Sequence, residues 1–174
     1  MTREYKRQRD SIPTSSTRWD SSWPELAGED ERLFLLSYME ERFGISSSIF
    51  RDCVFFKHRK SWWLLKKRSS LPAPCRLKVE MVGLKAFQKV GSHIKPTTRL
   101  IQVFGSLATR AKCNLTGRQL DGLVKEEAFD VPDTELQDGY VILCLGDYIL
   151  GMGLLIHGKV KSMIPRSEMK FLKN

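Results

Sequence analysis

Apolar positions along the chain follow two different periods. From Glu29 to Phe43, the residues Leu35, Leu36, Met39 and Phe43 recur three or four apart, with polar residues between them. That spacing predicts a helix with one apolar face. Glu29, Asp30 and Glu31 open it, where negative charge suits the helix dipole, and Gly44 follows as a C-terminal cap. The pattern then changes. Cys53–Lys57 and Ser61–Lys66 are aromatic and aliphatic runs separated by charge around Arg59-Lys60, which predicts a hairpin. A further strand is expected near Leu77–Val82, before a basic segment through Lys85 and Lys89. Thr97–Phe104 reads as another strand, and Gly105–Lys112 as a loop. Thr116–Lys125 predicts a short helix: Thr116 and Gln119 have capping-box spacing, and Leu120, Leu123 and Val124 form its apolar face. Glu126–Asp138 reads as an acidic connection.

The densest apolar stretch is Gly139–Pro165, GYVILCLGDYILGMGLLIHGKVKSMIP. Strand formers fill Tyr140–Leu145, and Gly146-Asp147 suits a two-residue hairpin turn. Tyr148–Ile156 is the return strand, interrupted by Gly151 and Gly153. Glycine inside a strand marks a bulge or a close backbone approach. His157-Gly158 makes the second turn, and Val160–Ile164 leads to Pro165, which a central strand excludes.

Gly139-Tyr140-Val141, Gly146, Leu150-Gly151, Gly153, Gly158, Lys161 and Pro165, in this spacing, resemble a PUA-like RNA-binding domain. The nearest resemblance is to the domain at the C-terminus of RsmF-type RNA 5-methylcytosine methyltransferases. It extends back to about Thr97 and covers the C-terminal half of the chain. Ser162 stands where the family pattern has Asn, and no methyltransferase domain accompanies the motif. The resemblance implies RNA binding through a small mixed barrel, and it implies a role for Lys161. A small α+β module ahead of a PUA-like one is also similar in layout to compact ribosome-biogenesis factors.

Charge sharpens this picture. The chain of 174 residues has a net charge of +9, and residues 51–112 carry fifteen basic groups against two acidic ones. One block therefore holds the whole excess, which favours a polyanionic partner through phosphate contact and counterion release. Around Trp62-Trp63, basic residues interleave with aromatic ones, as a surface for phosphates and unstacked bases requires. Strand alternation sends one tryptophan of the pair inward, and either could be core. Residues 1–28 mix charge with Ser, Thr and Pro and read as a flexible tail, with Trp19 and Trp23 as its oddity. No apolar run approaches the roughly 20 residues that cross a bilayer. The N-terminus has no apolar segment of a secretory signal. The four cysteines, Cys53, Cys75, Cys113 and Cys144, are widely spaced, as in reduced thiols of a cytoplasmic protein.

Catalytic and metal chemistry find little support. Cys53 and His58 have no second pair at zinc-site spacing, and His93 and His157 are isolated. Gly151-Met152-Gly153 precedes a strand-like run, whereas a dinucleotide loop opens a helix. Without a glycine loop in the right context S-adenosylmethionine should not bind, and the residues before Pro74-Cys75 cannot build the α/β domain that a catalytic thiolate there would need. The expectation is an α+β protein: a tail over 1–28, an α+β domain over 29–94 and a PUA-like mixed β-barrel domain over 95–174. It should bind rRNA or tRNA during maturation without catalysis, cofactor, metal or membrane. The alternative is a protein-interaction subunit that brings an RNA-modifying enzyme or ribosome-assembly factor to its RNA. Phosphate contacts are expected from Lys57, Arg59, Lys60, Lys66, Lys67 and Arg68, and from Arg99, Arg110, Lys112, Lys159, Lys161 and Arg166.

Overall fold

The computed structural model describes residues 24–67, 82–131 and 135–169. Over these residues the protein is a mixed α/β structure with two five-stranded sheets. In chain order the first half contains β1 (Glu25–Leu26), α1 (Glu29–Phe43), β2 (Cys53–His58), β3 (Ser61–Lys66), β4 (Leu84–Val90) and β5 (His93–Pro96). The second half contains α2 (Thr98–Phe104), β6 (Lys112–Asn114), α3 (Gly117–Glu126), β7 (Ala128–Asp130), β8 (Gly139–Leu145), β9 (Tyr148–Ile156), β10 (Lys159–Ser162) and α4 (Arg166–Met169). The first sheet is an antiparallel meander in chain order, β1 to β5. The second is ordered β6-β8-β9-β10-β7; only β6 runs parallel to its neighbour.

Helix α1 forms where its period predicts. Leu35, Leu36, Met39 and Phe43 are buried, and Gly44 closes the helix at φ +66. Its opposite side leaves Leu33 and Phe34 exposed. Helix α3 begins on the expected capping box: the Thr116 side chain accepts from Gln119 N, and Gln119 Oε1 accepts from Thr116 N. Two orphan amides of the first turn are thereby satisfied.

The meander β8–β10 forms with its two glycine corners. Along β8, residues 141–144 are all buried, without alternation. The reason is that both faces of this sheet are covered. Ile142, Cys144 and Met152 enter a core with α1, β2, β3, β4 and α2, while Val141, Leu143, Leu155 and Val160 pack with Leu123 of α3 and Phe129. Residues from both sides of position 94 share the first of these cores. Gly151 is required by close approach. A Cβ there would lie 2.7 Å from Ile164 Cγ1 and 2.9 Å from Thr98 Cγ2. Leu143 pairs with Gly151 but Cys144 with Ile149, so Leu150 is the extra residue of a bulge.

Several expectations are corrected. Thr97–Phe104 is not a strand: α2 occupies it, with Thr97 as N-cap accepting from Leu100 N at 3.1 Å. Its β-branched composition suggested a strand, but Leu100, Ile101 and Phe104 fit a helical face, and packing between the two sheets decides. The acidic connection contains β7, an edge strand on β10, and the loop after α2 contains a 3₁₀ turn and runs into β6. Three-residue strands are too short to leave a readable alternation. The basic segment through Lys85 and Lys89 is strand β4 itself, whereas the strand expected at 77–82 lies, but for Val82, outside the described residues. Within the stretch read as a tail, Glu25 and Leu26 pair with Lys57 and Phe56 of β2; Trp19 and Trp23 lie outside the described residues.

Candidate nucleic-acid interface

The basic run around β2–β3 is contiguous in sequence but divided in space. Arg59 and Lys60 form the hairpin tip, while Lys66 and Lys67 sit at the other end of strand β3. Six residues at ~3.3 Å each place these ends roughly 20 Å apart. The amide of Lys89 donates to Lys60 O at 2.8 Å, so Lys89 joins the tip group. Lys57 turns toward α1 instead. Its ammonium hydrogen-bonds the Glu31 carboxylate, and that bond pushes its pKa up. Arg68 lies outside the described residues.

The second half divides its cations in the same way. Lys159 and Lys161 are exposed on β10. Arg166 pairs with Glu127 at 3.2 Å, and Arg99 reaches Glu168 at 3.9 Å. Arg110 shares a small hollow with Glu41 and Glu135, and Lys112 is half-buried on β6. Among the described residues, no carboxylate forms an ion pair with Arg59, Lys60, Lys66 or Lys67, nor with Lys159 or Lys161. Phosphates could therefore be met at three separate places: the hairpin tip, the far end of β3, and β10.

Of the pair on β3, Trp62 supplies no stacking surface and Trp63 only part of one. Trp62 points into the main core and is 6% exposed. Trp63, next in the strand, points to the other face and is half-buried; both indole N–H groups are buried with no acceptor among the described residues. Exposed rings occur elsewhere. Phe34 is 59% exposed on α1, one turn before Tyr38.

These two rings stand beside Arg42 at i, i+4 and i+8, on a stripe of α1 that runs from exposed Phe34 to Tyr38 at the margin of the core. The stripe forms one wall of a cleft of about 690 Å³. Val90, Ser92, His93 and Ile94 of the β4–β5 hairpin form the second wall. Asp138, Gly139, Tyr140 and Leu154 form the third. Arg42 holds the walls together: Nε donates to Tyr140 O at 2.7 Å and Nη2 to Gln137 O at 2.8 Å. Tyr38 sets its ring edge-on to Phe43, at 6.0 Å and 82°.

Burial pushes the Tyr38 hydroxyl up to about 12; the Arg42 charge opposes this, and neighbouring Tyr140 adds to it. Burial also raises Tyr140. Both phenols are therefore neutral hydrogen-bond donors at physiological pH. His93 Nδ1 lies 2.8 Å from Ser92 Oγ. Asp138 accepts from the His157 amide at 3.0 Å, which fixes the β9–β10 turn at the cleft's edge. Burial raises the thiols of Cys53, Cys113 and Cys144, keeping them protonated, while Cys75 lies outside the described residues. Among the described residues no three His, Cys, Asp or Glu side chains cluster to hold a metal, and no helix is long and apolar enough to cross a membrane. The cleft suits binding: apolar walls, neutral donors and one fixed cation.

Sequence reasoning missed Phe34, Tyr38, Arg42, His93 and Tyr140. One signal was available for two of them: Phe34 and Tyr38 lie off the buried stripe of α1, one turn apart. The other two walls come together only through the packing of the two sheets. No protein-family model matches the chain, and no curated protein matches it.

Proposed function

We propose that this protein is a non-catalytic RNA-binding protein of rRNA or tRNA maturation, with a PUA-like module in its second half. The observation that carries the proposal is the exposed basic groups Arg59, Lys60, Lys66 and Lys67, none ion-paired to a carboxylate among the described residues, within a block of fifteen basic and two acidic residues. Lys and Arg at separated points position a structured RNA by its backbone. The meander with Gly146 and Gly158 at its corners, beside the capped helix α3, supports the PUA-like likeness. The test is to replace Arg59, Lys60, Lys66 and Lys67 together by Gln. RNA affinity should fall, and the slope of log K against log salt should flatten by about three units, at ~0.7–0.9 per lost phosphate contact. Exposed changes of this kind each move stability by less than about 0.5 kcal/mol, so the fold should persist. A folded variant with the wild-type salt slope removes these four residues from the interface.

A second reading is a subunit that carries an RNA-modifying enzyme to its RNA in trans. Exposed Ile49, Val103 and Leu107 favour it, flanking the Phe50–Phe104 ring contact at 4.9 Å. Purification from native cells of a stable enzyme complex free of RNA would select this reading over the first.

A further inference from the structure

We propose that the cleft between α1, the β4–β5 hairpin and the start of β8 takes an unstacked base of single-stranded RNA, with flanking phosphates held from both sheets. The proposal rests on the RNA-binding reading and adds to it where a base is held.

Three observations carry it. The first is the cleft's size and chemistry. At about 690 Å³ it falls within the range of roughly 300–1,000 Å³ typical of ligand pockets. Its walls offer Phe34, Tyr38 and Tyr140 with the aliphatic Val90 and Leu154. A nucleobase needs apolar contact on its two faces and a few polar partners at its edge. The neutral Tyr38 and Tyr140 hydroxyls can donate to ring nitrogens and carbonyls, and the Asp138 carboxylate can accept from an exocyclic amine.

The second is the position of charge. Tyr140, Leu154 and Lys161 lie on one rung across β8, β9 and β10. Side chains of one rung share a face, so Lys161 stands two strand spacings, about 10 Å, from the Tyr140 backbone on the cleft's own side. Lys159 follows on the same face. On the other side Lys89 pairs with Ile94 of the cleft wall and contacts the Arg59-Lys60 tip through its amide. Cations therefore flank an apolar cleft on two sides, as a single strand passing through it requires. An apolar protein segment would leave them without a role.

The third is the contrast between the rings: Trp62 is buried in the core and Trp63 is half-buried, whereas Phe34 is 59% exposed and faces this cleft.

The test uses the full chain and three fluorescent RNA probes carrying equal numbers of phosphates. These are a mixed-sequence single strand, the same strand with abasic positions, and a duplex. The base-bearing single strand should bind tightest. Phe34→Ala should weaken it by roughly 5- to 150-fold, the range of one lost base–aromatic stack. That variant should leave duplex binding and the salt slope unchanged, because no phosphate contact is lost. Phe34→Trp should retain the affinity. Lys161→Gln and Lys89→Gln should each flatten the single-strand slope by about 0.7. Wild-type protein that binds base-bearing and abasic strands equally overturns the proposal, as does Phe34→Ala with wild-type single-strand affinity; the RNA reading then stands. Wild-type protein that binds none of the three probes overturns both. A Phe34→Ala defect confined to a protein complex assigns the cleft to a protein partner and overturns the base site.

Discussion

The hairpin β2–β3 and the meander β8–β10 are both apolar, yet they serve opposite ends. In the meander, neighbouring residues 141–144 are buried because each face has its own core. In the hairpin, charge crowds both ends of the strands. The corners show the difference most clearly. Gly146 turns the meander at φ +57, and Arg59 turns the hairpin at φ +54. The backbone conformation is the same left-handed one, which a side chain makes costly. At this corner the meander takes the residue that suits the backbone, although its second corner holds His157 at φ +47 before Gly158. The hairpin keeps a guanidinium at its tip against the backbone's preference. Packing constrains the first region and exposed charge the second.

The largest break in this comparison should come from Gly151. Gly151→Ala places a methyl group against Ile164 and Thr98, and overpacking of this kind costs about 1–3 kcal/mol. Urea denaturation should show the loss, and an unchanged midpoint would mean that the second sheet and α2 are not packed this closely. The corners should then respond with opposite signs. Gly146→Ala, with nothing within 4 Å of its added Cβ, should cost about 1 kcal/mol from backbone conformation alone. Arg59→Gly should raise stability by up to about 1 kcal/mol while weakening the RNA binding proposed above. A destabilised Arg59→Gly would show that the side chain supports the fold and was not kept for charge.

The effect smallest at neutral pH is one confined to the alkaline range, and it comes from the cleft. The Tyr38 hydroxyl titrates at 10.0 when unconstrained and at about 12 in the fold. Between these values the unfolded chain has released the proton and the folded one still holds it. Stability therefore falls as pH rises through that window, and this group removes none below it. The raised thiols of Cys53, Cys113 and Cys144 act with the same sign from about pH 9 upward. In Tyr38→Phe the alkaline limb of a denaturation series should be shallower. An equally steep limb would place the effect on the thiols and Tyr140 alone.

The sequence by itself determined the elements whose signals are local. The period of Leu35, Leu36, Met39 and Phe43 marks α1, Thr116 and Gln119 cap α3, and Gly146 and Gly158 turn the meander. It also determined the sign and the block of the charge. Each of these is set by residues a few positions apart, so a short window contains the whole cause. The tertiary structure decided the rest. Thr97–Phe104 became a helix because two sheets close on Leu100 and Ile101, outweighing a weak local preference in a seven-residue segment. Which tryptophan of the pair is core was settled by packing: Trp62 faces the main core and Trp63 stays half-buried on the other face. The basic run was divided because a strand carries its ends apart. The cleft joins α1 to Tyr140 through Arg42, across 98 residues of sequence. No local pattern encodes such a meeting, because it depends on where three separately formed walls come to rest.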